Sequence, residues 1–328
     1  MNHLTTAAIA ALAIAATPMA AFAQNLNLSH QWSTSDVRHE VAEVFATELA
    51  NADVGLDVTI HEKGSLFKAR EQYEPLKSGE LDLTIYPLAY SGGERPQYSL
   101  TLMPGLVQNH DHALRLTESE FMDDIEALMA EDDVMVLAHG YLAGGFAGTN
   151  GCVTHPDDVK DTTARAAGAA FEAMVSGAGA NIESMSSSKI YEAMEAGTLQ
   201  VANTSSASFV SYEIYEQVTC FTPAGDYALW FMYMPLLMNK AKFDAMSPEQ
   251  QTAVMEAGQA AQDYYFSEAA AQDSMARDVF QEKGVEIKEM SFDDYIAWFG
   301  VAKLTSYEAF LEDMPDGLAL LDKALNVE

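Results

Sequence analysis

Arg165 is the side chain with the clearest chemistry to offer. In the run TTARAAG (162–168) it ends a strand-like stretch just before a small-residue turn. Its neighbours leave the guanidinium free to fork onto a carboxylate, a geometry that the point charge of lysine does not reproduce. The competing role is an ordinary ion pair with one of the chain's many surface acids. Other candidate chemistry fails on spacing. Ser186 and Lys189 fit the S-x-x-K pattern of serine acyl-transfer enzymes, but the companion S-D-N and K-T-G elements are absent. Ser186 is better placed to cap the helix that carries Ile190, Tyr191 and Met194. His110, Asp111 and His112 gather at a helix start without a third metal ligand at fixed spacing. His61-Glu62 lacks the second histidine of H-E-x-x-H, and the glycines near 140–151 do not form G-x-G-x-x-G between a strand and a helix. These patterns assign no catalytic residue, metal or cofactor.

The elements that must position Arg165 follow from periodicity. Residues 158–204 read as strand, helix, strand, helix, strand. Upstream, LNLS (26–29) reads as a strand and Ser35 as the cap of a helix with Val37, Val41, Val44, Phe45 and Leu49 at helical spacing. His30, Gln31, Trp32 and Ser33 therefore lie in a strand-to-helix loop, where ligands bind in open α/β sheets. A strand at 56–61, a helix near 68–78 stopped by Gly79, and a strand at 81–86 complete a βαβαβ unit and imply a parallel sheet. LTLMPGLV reads as an extended segment ending at Pro104. Then come an acidic helix near 111–131, a strand at 134–139, and a turn at Asn150-Gly151. YALWFMYMPLLMN reads as one strand ending at Pro235 or Asn239. Ser247-Pro-Glu-Gln250 combines an N-cap, proline at the first helical position and a capping box, and no breaker follows until Gly284. The helix expected there is about 35 residues and ~50 Å long, enough to cross two lobes. A strand at VEIKEM and helices near 292–313 and 315–326 close the chain.

Composition narrows the function. The 49 acidic and 17 basic residues give a formal net charge of -32, which excludes an electrostatic grip on nucleic acid and disfavours anionic membranes. Any anionic ligand must be held by local cations. Residues 4–16 are an apolar run too short to span a bilayer, and Ala21-Phe22-Ala23 is a small-residue cleavage site. Residues 1–23 are read as a signal peptide, although Met-Asn-His at the start carries no Lys or Arg, with cleavage after Ala23. An exported chain places Cys152 and Cys220 where a disulfide persists, and a disulfide is expected over two buried free thiols.

The succession LKSGELDLTIYPLAY, LTLMPGLV, HPDDVKDTTARA, IYEAMEAGTLQ and NKAKFDAMSPEQQ, followed by the long helix, resembles the solute-binding proteins of TRAP transporters from about Leu26 to the end. The resemblance implies a two-lobed α/β fold of the periplasmic binding protein kind (type II-like). Each lobe is a mixed sheet flanked by helices, and the long helix crosses both. Lobe I is expected at 24–148 plus about 236–275, and lobe II at 149–235 plus about 276–328. It also implies a periplasmic location, an organic acid as ligand, membrane-embedded transporter subunits as partners, and Arg165 as the partner of the ligand carboxylate. The family's polar contact after the IYEAMEAG-like segment falls on Asn203 or Thr204. A second arginine found in some sialic-acid-binding members aligns near Gly145, which disfavours that ligand. Around Arg165 the alignment places Trp32, Tyr86, Tyr90, Phe209, Trp230 and Phe231, with His30 in the adjoining loop. One cation in an aromatic wall suits a monocarboxylate with an apolar or ring-shaped body. A ligand sensor for a receptor and an exported serine hydrolase are the alternatives. A monomer is expected, since a binding protein must open, close and dock singly.

Overall fold

Two mixed sheets organise the chain, which a computed structural model describes over residues 24–327. The leader expected at 1–23 lies outside the described residues. The first sheet has the order β2-β1-β3-β11-β4, built from β1 (Gln24–Ser29), β2 (Leu56–His61), β3 (Leu83–Ile85), β4 (Val134–Ala138) and β11 (Leu236–Asn239). β1 is parallel to β2 and β3, whereas β11 runs antiparallel to β3 and β4. The second sheet has the order β12-β9-β5-β8-β6-β7, with β10 also on β5. Its strands are β5 (Tyr141–Gly148), β6 (Thr163–Arg165), β7 (Asn181–Ile182), β8 (Val201–Ser205), β9 (Cys220–Thr222), β10 (Trp230–Tyr233) and β12 (Glu286–Ile287). β3, β5, β10 and β11 are buried along their whole lengths, as strands covered on both faces must be.

The chain crosses between the sheets three times. β4 passes to β5 through His139-Gly140, so β5 pairs in the second sheet although the boundary expected near Thr149 would leave it with lobe I. β10 returns to β11 through Met234-Pro235, and Met234 N donates to Gly140 O at 2.8 Å, which holds the two crossings side by side. Thus 230–239 is not one strand but two, in different sheets, with Pro235 at the change. The third crossing is the helix Pro248–Glu282, whose Ser247–Gln250 capping box forms as the sequence implies. It packs on the helix Val37–Asn51 and β4 of the first lobe, and on the helix Ser206–Ser211 and β12 of the second. Its buried stripe, Ala253, Ala257, Gly258, Ala261, Ala269 and Ala276 among others, is mostly small, and so lets the backbones come close. Gly258 is required there, because a Cβ would sit 2.4 Å from Leu137 O.

Several elements differ from the sequence reading. Asp36, not Ser35, caps the helix Val37–Asn51, with its carboxylate accepting from Arg38 N. The helix near 68–78 shortens to Tyr73–Ser78, ended by Gly79 in the left-handed region at φ 76°. Pro96–Leu102 is 3₁₀-helical rather than extended. The acidic helix breaks into His110–Thr117 and Glu120–Glu131 where Ser119 begins a new cap. The Cys152–Cys220 disulfide is formed and ties the segment after β5 to β9 within the second lobe. No described helix is long and apolar enough to cross a membrane.

Candidate functional site

Arg165 ends β6, and from there its side chain reaches the first lobe. The chain then turns through Ala166 and Ala167 to Gly168, where φ is +78° and a Cβ would meet Ala89 O of the first lobe at 3.2 Å. Glycine satisfies both the left-handed backbone and the close approach. The Arg165 guanidinium is buried, with the residue 1% exposed. Nε donates to Met185 O at 3.1 Å, Nη1 to Asn203 O at 2.6 Å and Nη2 to Tyr90 Oη at 3.2 Å. A guanidinium has five N–H groups, so one on each terminal nitrogen is left over. Among the described residues no acid forms an ion pair with it. Burial pulls its pKa below the ordinary arginine value, only partly opposed by the Tyr90 phenol.

Arg38 is the instructive contrast. It is equally buried, yet all its donors are used. Nε and Nη2 fork onto Asp36 at 2.6 Å each, Nη1 reaches Ser205 Oγ and Met234 Sδ, and Nη2 also reaches Ser208 Oγ. Burial pushes the Asp36 carboxyl up, but Arg38 outweighs that and holds it below the usual carboxylate range. One buried arginine is neutralised by the protein and the other is not. Nothing in the sequence pattern singled out the Asp36–Arg38 pair.

Tyr90 stands between the lobes. Its oxygen accepts from Arg165 Nη2 and from Ser187 N at 3.3 Å, and its ring lies under the Arg70 guanidinium at 4.4 Å and edge-on to Tyr86 at 6.0 Å. Burial raises the phenol's pKa, but Arg165 and Arg70 outweigh it and bring it below the ordinary tyrosine value. Arg70 also donates to Met185 O at 3.3 Å, the carbonyl that Arg165 uses. Gln31, in the loop after β1, is buried with both amide atoms unpartnered among the described residues, and its carbonyl accepts from Tyr212 Oη of the second lobe at 3.1 Å. Gln31 and Tyr212 line a cleft of about 790 Å³ between the lobes, along with Lys63, Lys68 and Ser188. Arg165 is enclosed by its own partners and is not on that wall.

The other expected site residues divide. Asn203 meets Arg165 through its carbonyl, gives its amide to Gly145 O at 2.9 Å, and keeps Oδ1 unpartnered among the described residues. Thr204 is buried next to it, opposite Gly145. Trp32 lies against Arg38 at 4.0 Å, with Nε1 unpartnered among the described residues. His30 Nδ1 accepts from Trp32 N at 3.2 Å, so its neutral form carries the proton on Nε2, which faces His39 Nδ1 at 3.1 Å. Burial lowers the His30 pKa to about 4. Tyr86 stacks on Tyr73 at 5.5 Å. Trp230 pairs with Gly144, and Phe231 sits edge-on to His110 at 5.2 Å. The Phe209 ring packs 5.0 Å from Phe221 and 5.9 Å from Phe280 in a separate apolar cluster of the second lobe. Ser186 and Lys189 are not joined, since Ser186 pairs with Ser188 and Lys189 with Glu192. His110 bonds Asp273, while His112 accepts from Gln108 N.

Comparison with known proteins matches residues 28–313 to DctP, bacterial extracellular solute-binding protein family 7. The chain belongs to this family. A solute-binding protein of Albidiferax ferrireducens is 30% identical over 298 residues, covering 88% of each chain. The 2,3-diketo-L-gulonate-binding periplasmic protein YiaO of Escherichia coli is 27% identical, covering 91% of this chain and 90% of its own. Among solved structures, a TRAP periplasmic solute-binding protein of Rhodoferax ferrireducens with bound malonate superposes with a TM-score of 0.89 at 28% identity, over 92% of this chain and 98% of that one. DctP-family proteins bind solutes for transport, and the two mixed sheets described above are the lobes of that fold.

Proposed function

We propose that this DctP-family protein captures a small organic acid between its lobes, with Arg165 as the salt-bridge partner of the carboxylate, and presents it to the membrane subunits of a TRAP transporter from the periplasm. One observation carries the reading. On a chain with 49 acidic residues, a buried guanidinium forms no ion pair with any acid among the described residues and keeps two N–H groups uncommitted. A buried charge is retained only where something compensates it. The malonate of the Rhodoferax ferrireducens structure and the diketogulonate of YiaO are acids of this kind. Tyr90, whose oxygen already accepts twice, has its own proton left to donate to the same carboxylate.

With a single uncompensated buried cation, a monocarboxylate is the preferred ligand, its body against Tyr86, Tyr90 and Trp230. A dicarboxylate is the second reading. It is favoured by Arg70, a second guanidinium that converges on Met185 O and has no acid partner among the described residues. Calorimetric titration with a panel of mono- and dicarboxylates, including benzoate and malonate, tests both against wild type, Arg165→Ala and Arg70→Ala. Arg165→Ala abolishes binding of every acid. Arg70→Ala weakens only dicarboxylates if the second reading holds. Equal binding by wild type and Arg165→Ala refutes the carboxylate assignment.

A further inference from the structure

We propose that Asp36 and Arg38, together with Ser205, Ser208 and Ser211, form a clasp that positions the two lobes on each other and so sets how long a bound acid is retained. The inference rests on the reading that the cleft closes over a carboxylate. Asp36 and Arg38 are both from the first lobe, at the start of the helix that follows the ligand loop, and are two residues apart. All three serines are from the second lobe, at the end of β8 and along the short helix after it.

The stoichiometry of the hydrogen bonds is complete. Arg38 has five N–H groups, and they go to Asp36 twice, to Ser205 Oγ at 3.2 Å, to Ser208 Oγ at 3.0 Å and to Met234 Sδ at 3.3 Å. The Asp36 carboxylate accepts from Arg38 N, Arg38 Nε and Arg38 Nη2, and from Ser211 Oγ at 2.6 Å. Ser205 and Ser208 are joined at 3.0 Å, which fixes their hydroxyls relative to one another. Taking an ion pair out of water is costly, and the interior repays it only when the remaining donors and lone pairs are satisfied. Here that satisfaction comes from the other lobe. When the lobes separate, water replaces the serines and the ion pair remains intact within the first lobe. The clasp therefore distinguishes closed from open geometry through contacts between the lobes, and only such a difference can shift the equilibrium between the two.

A second contact joins it to the site. Arg38 lies on the face of Trp32 at 4.0 Å, and Trp32 follows Gln31, whose carbonyl accepts from Tyr212 Oη. Closure thus aligns the clasp, the ligand loop and Tyr212 together. These are positioning residues.

The test compares wild type, Ser208→Ala/Ser211→Ala, Ser211→Thr and Arg165→Ala, with benzoate, malonate and the rest of the carboxylate panel as probes. Stopped-flow fluorescence gives association and dissociation rates, and ligand-free melting gives the structural control. In the double alanine variant, dissociation accelerates about a hundredfold, in line with the loss of two hydrogen bonds to charged groups, while the association rate and ligand-free Tm stay near wild type. Ser211→Thr, which keeps a hydroxyl, stays near wild type throughout. An unchanged dissociation rate in the double variant, or a Tm loss with unchanged affinity, overturns the clasp while leaving the carboxylate reading intact. Undiminished binding by Arg165→Ala, or no acid bound by wild type, overturns the carboxylate reading and the clasp with it.

Discussion

Tyr90 Oη lies 3.2 Å from Arg165 Nη2, a phenol of the first lobe on the guanidinium of the second. Its ring is held between Arg70 and Tyr86, so the hydroxyl has little freedom to turn away. Tyr90→Phe keeps the ring and removes the hydroxyl. Acid affinity should fall roughly tenfold, the worth of a hydrogen bond to a charged group. Calorimetry on the variant checks this, and an unchanged Kd would mean that the phenol serves closure packing alone.

Arg165→Met separates function from stability. Truncating one member of a buried charged pair costs about 2–5 kcal/mol of binding, so acid binding should become undetectable at millimolar concentrations. Removing a buried charge that has no acid partner should leave the ligand-free Tm unchanged or higher. A large drop in Tm would instead assign Arg165 a structural role.

Phe209 makes the opposite prediction. Packed on Phe221 and Phe280, it should cost about 3–5 kcal/mol of stability as Phe209→Ala, read by chemical denaturation. Acid affinity per folded molecule should not change.

One buried and one partly buried histidine predict an acid-sensitive fold. Burial lowers both His30 and His139 from 6.5 to about 4. Between those values the unfolded chain binds protons that the folded chain does not. Their contribution is therefore full above about pH 6.5 and is lost progressively as pH falls toward 4. Urea midpoints at pH 7.5, 6 and 5 should decline in that order, and a flat profile would refute the assignment.

Breaking the Cys152–Cys220 bond opens a loop with a sequence separation of 68. The chain-entropy relation gives about 4 kcal/mol for a loop of that size. Guanidinium unfolding with and without reductant, or of Cys152→Ala/Cys220→Ala, measures it. A midpoint unaffected by reduction would show that the second lobe does not depend on the bond.

The long helix was legible because its start carries three independent signals, Ser247, Pro248 and Gln250, and no proline follows within it. β5 was not. The pattern of its sequence, YLAGGFAG, assigns no element, yet it is the strand of the second sheet that pairs with β8, β9 and β10. At Gly144 and Gly145 a Cβ would fall 2.0 Å from Thr204 O and 1.9 Å from Thr222 O, so neighbouring backbones, not propensity, select the residues there. Pro104 and Pro235 misled in the same way, since a proline marks the end of regular backbone without saying which kind it ends. The placement of Arg165 at the end of a strand was legible from the small-residue turn that follows it. Asp36 and Arg38 were not, because a cap residue and a helix residue two positions on carry no mark of the serines about 170 positions away that complete them.

Gly140 lies against the Tyr265 ring and Gly258 against Leu137 O, so the helix Pro248–Glu282 is seated directly on the strand crossings beside it. The lobes are thus joined by two antiparallel strand crossings and one continuous helix, so a change in their relative angle must bend all three together. If the cleft closes over an acid as proposed, the angle between the lobes reports its occupancy, and a docking partner that spans both lobes can read that angle without ever meeting the acid.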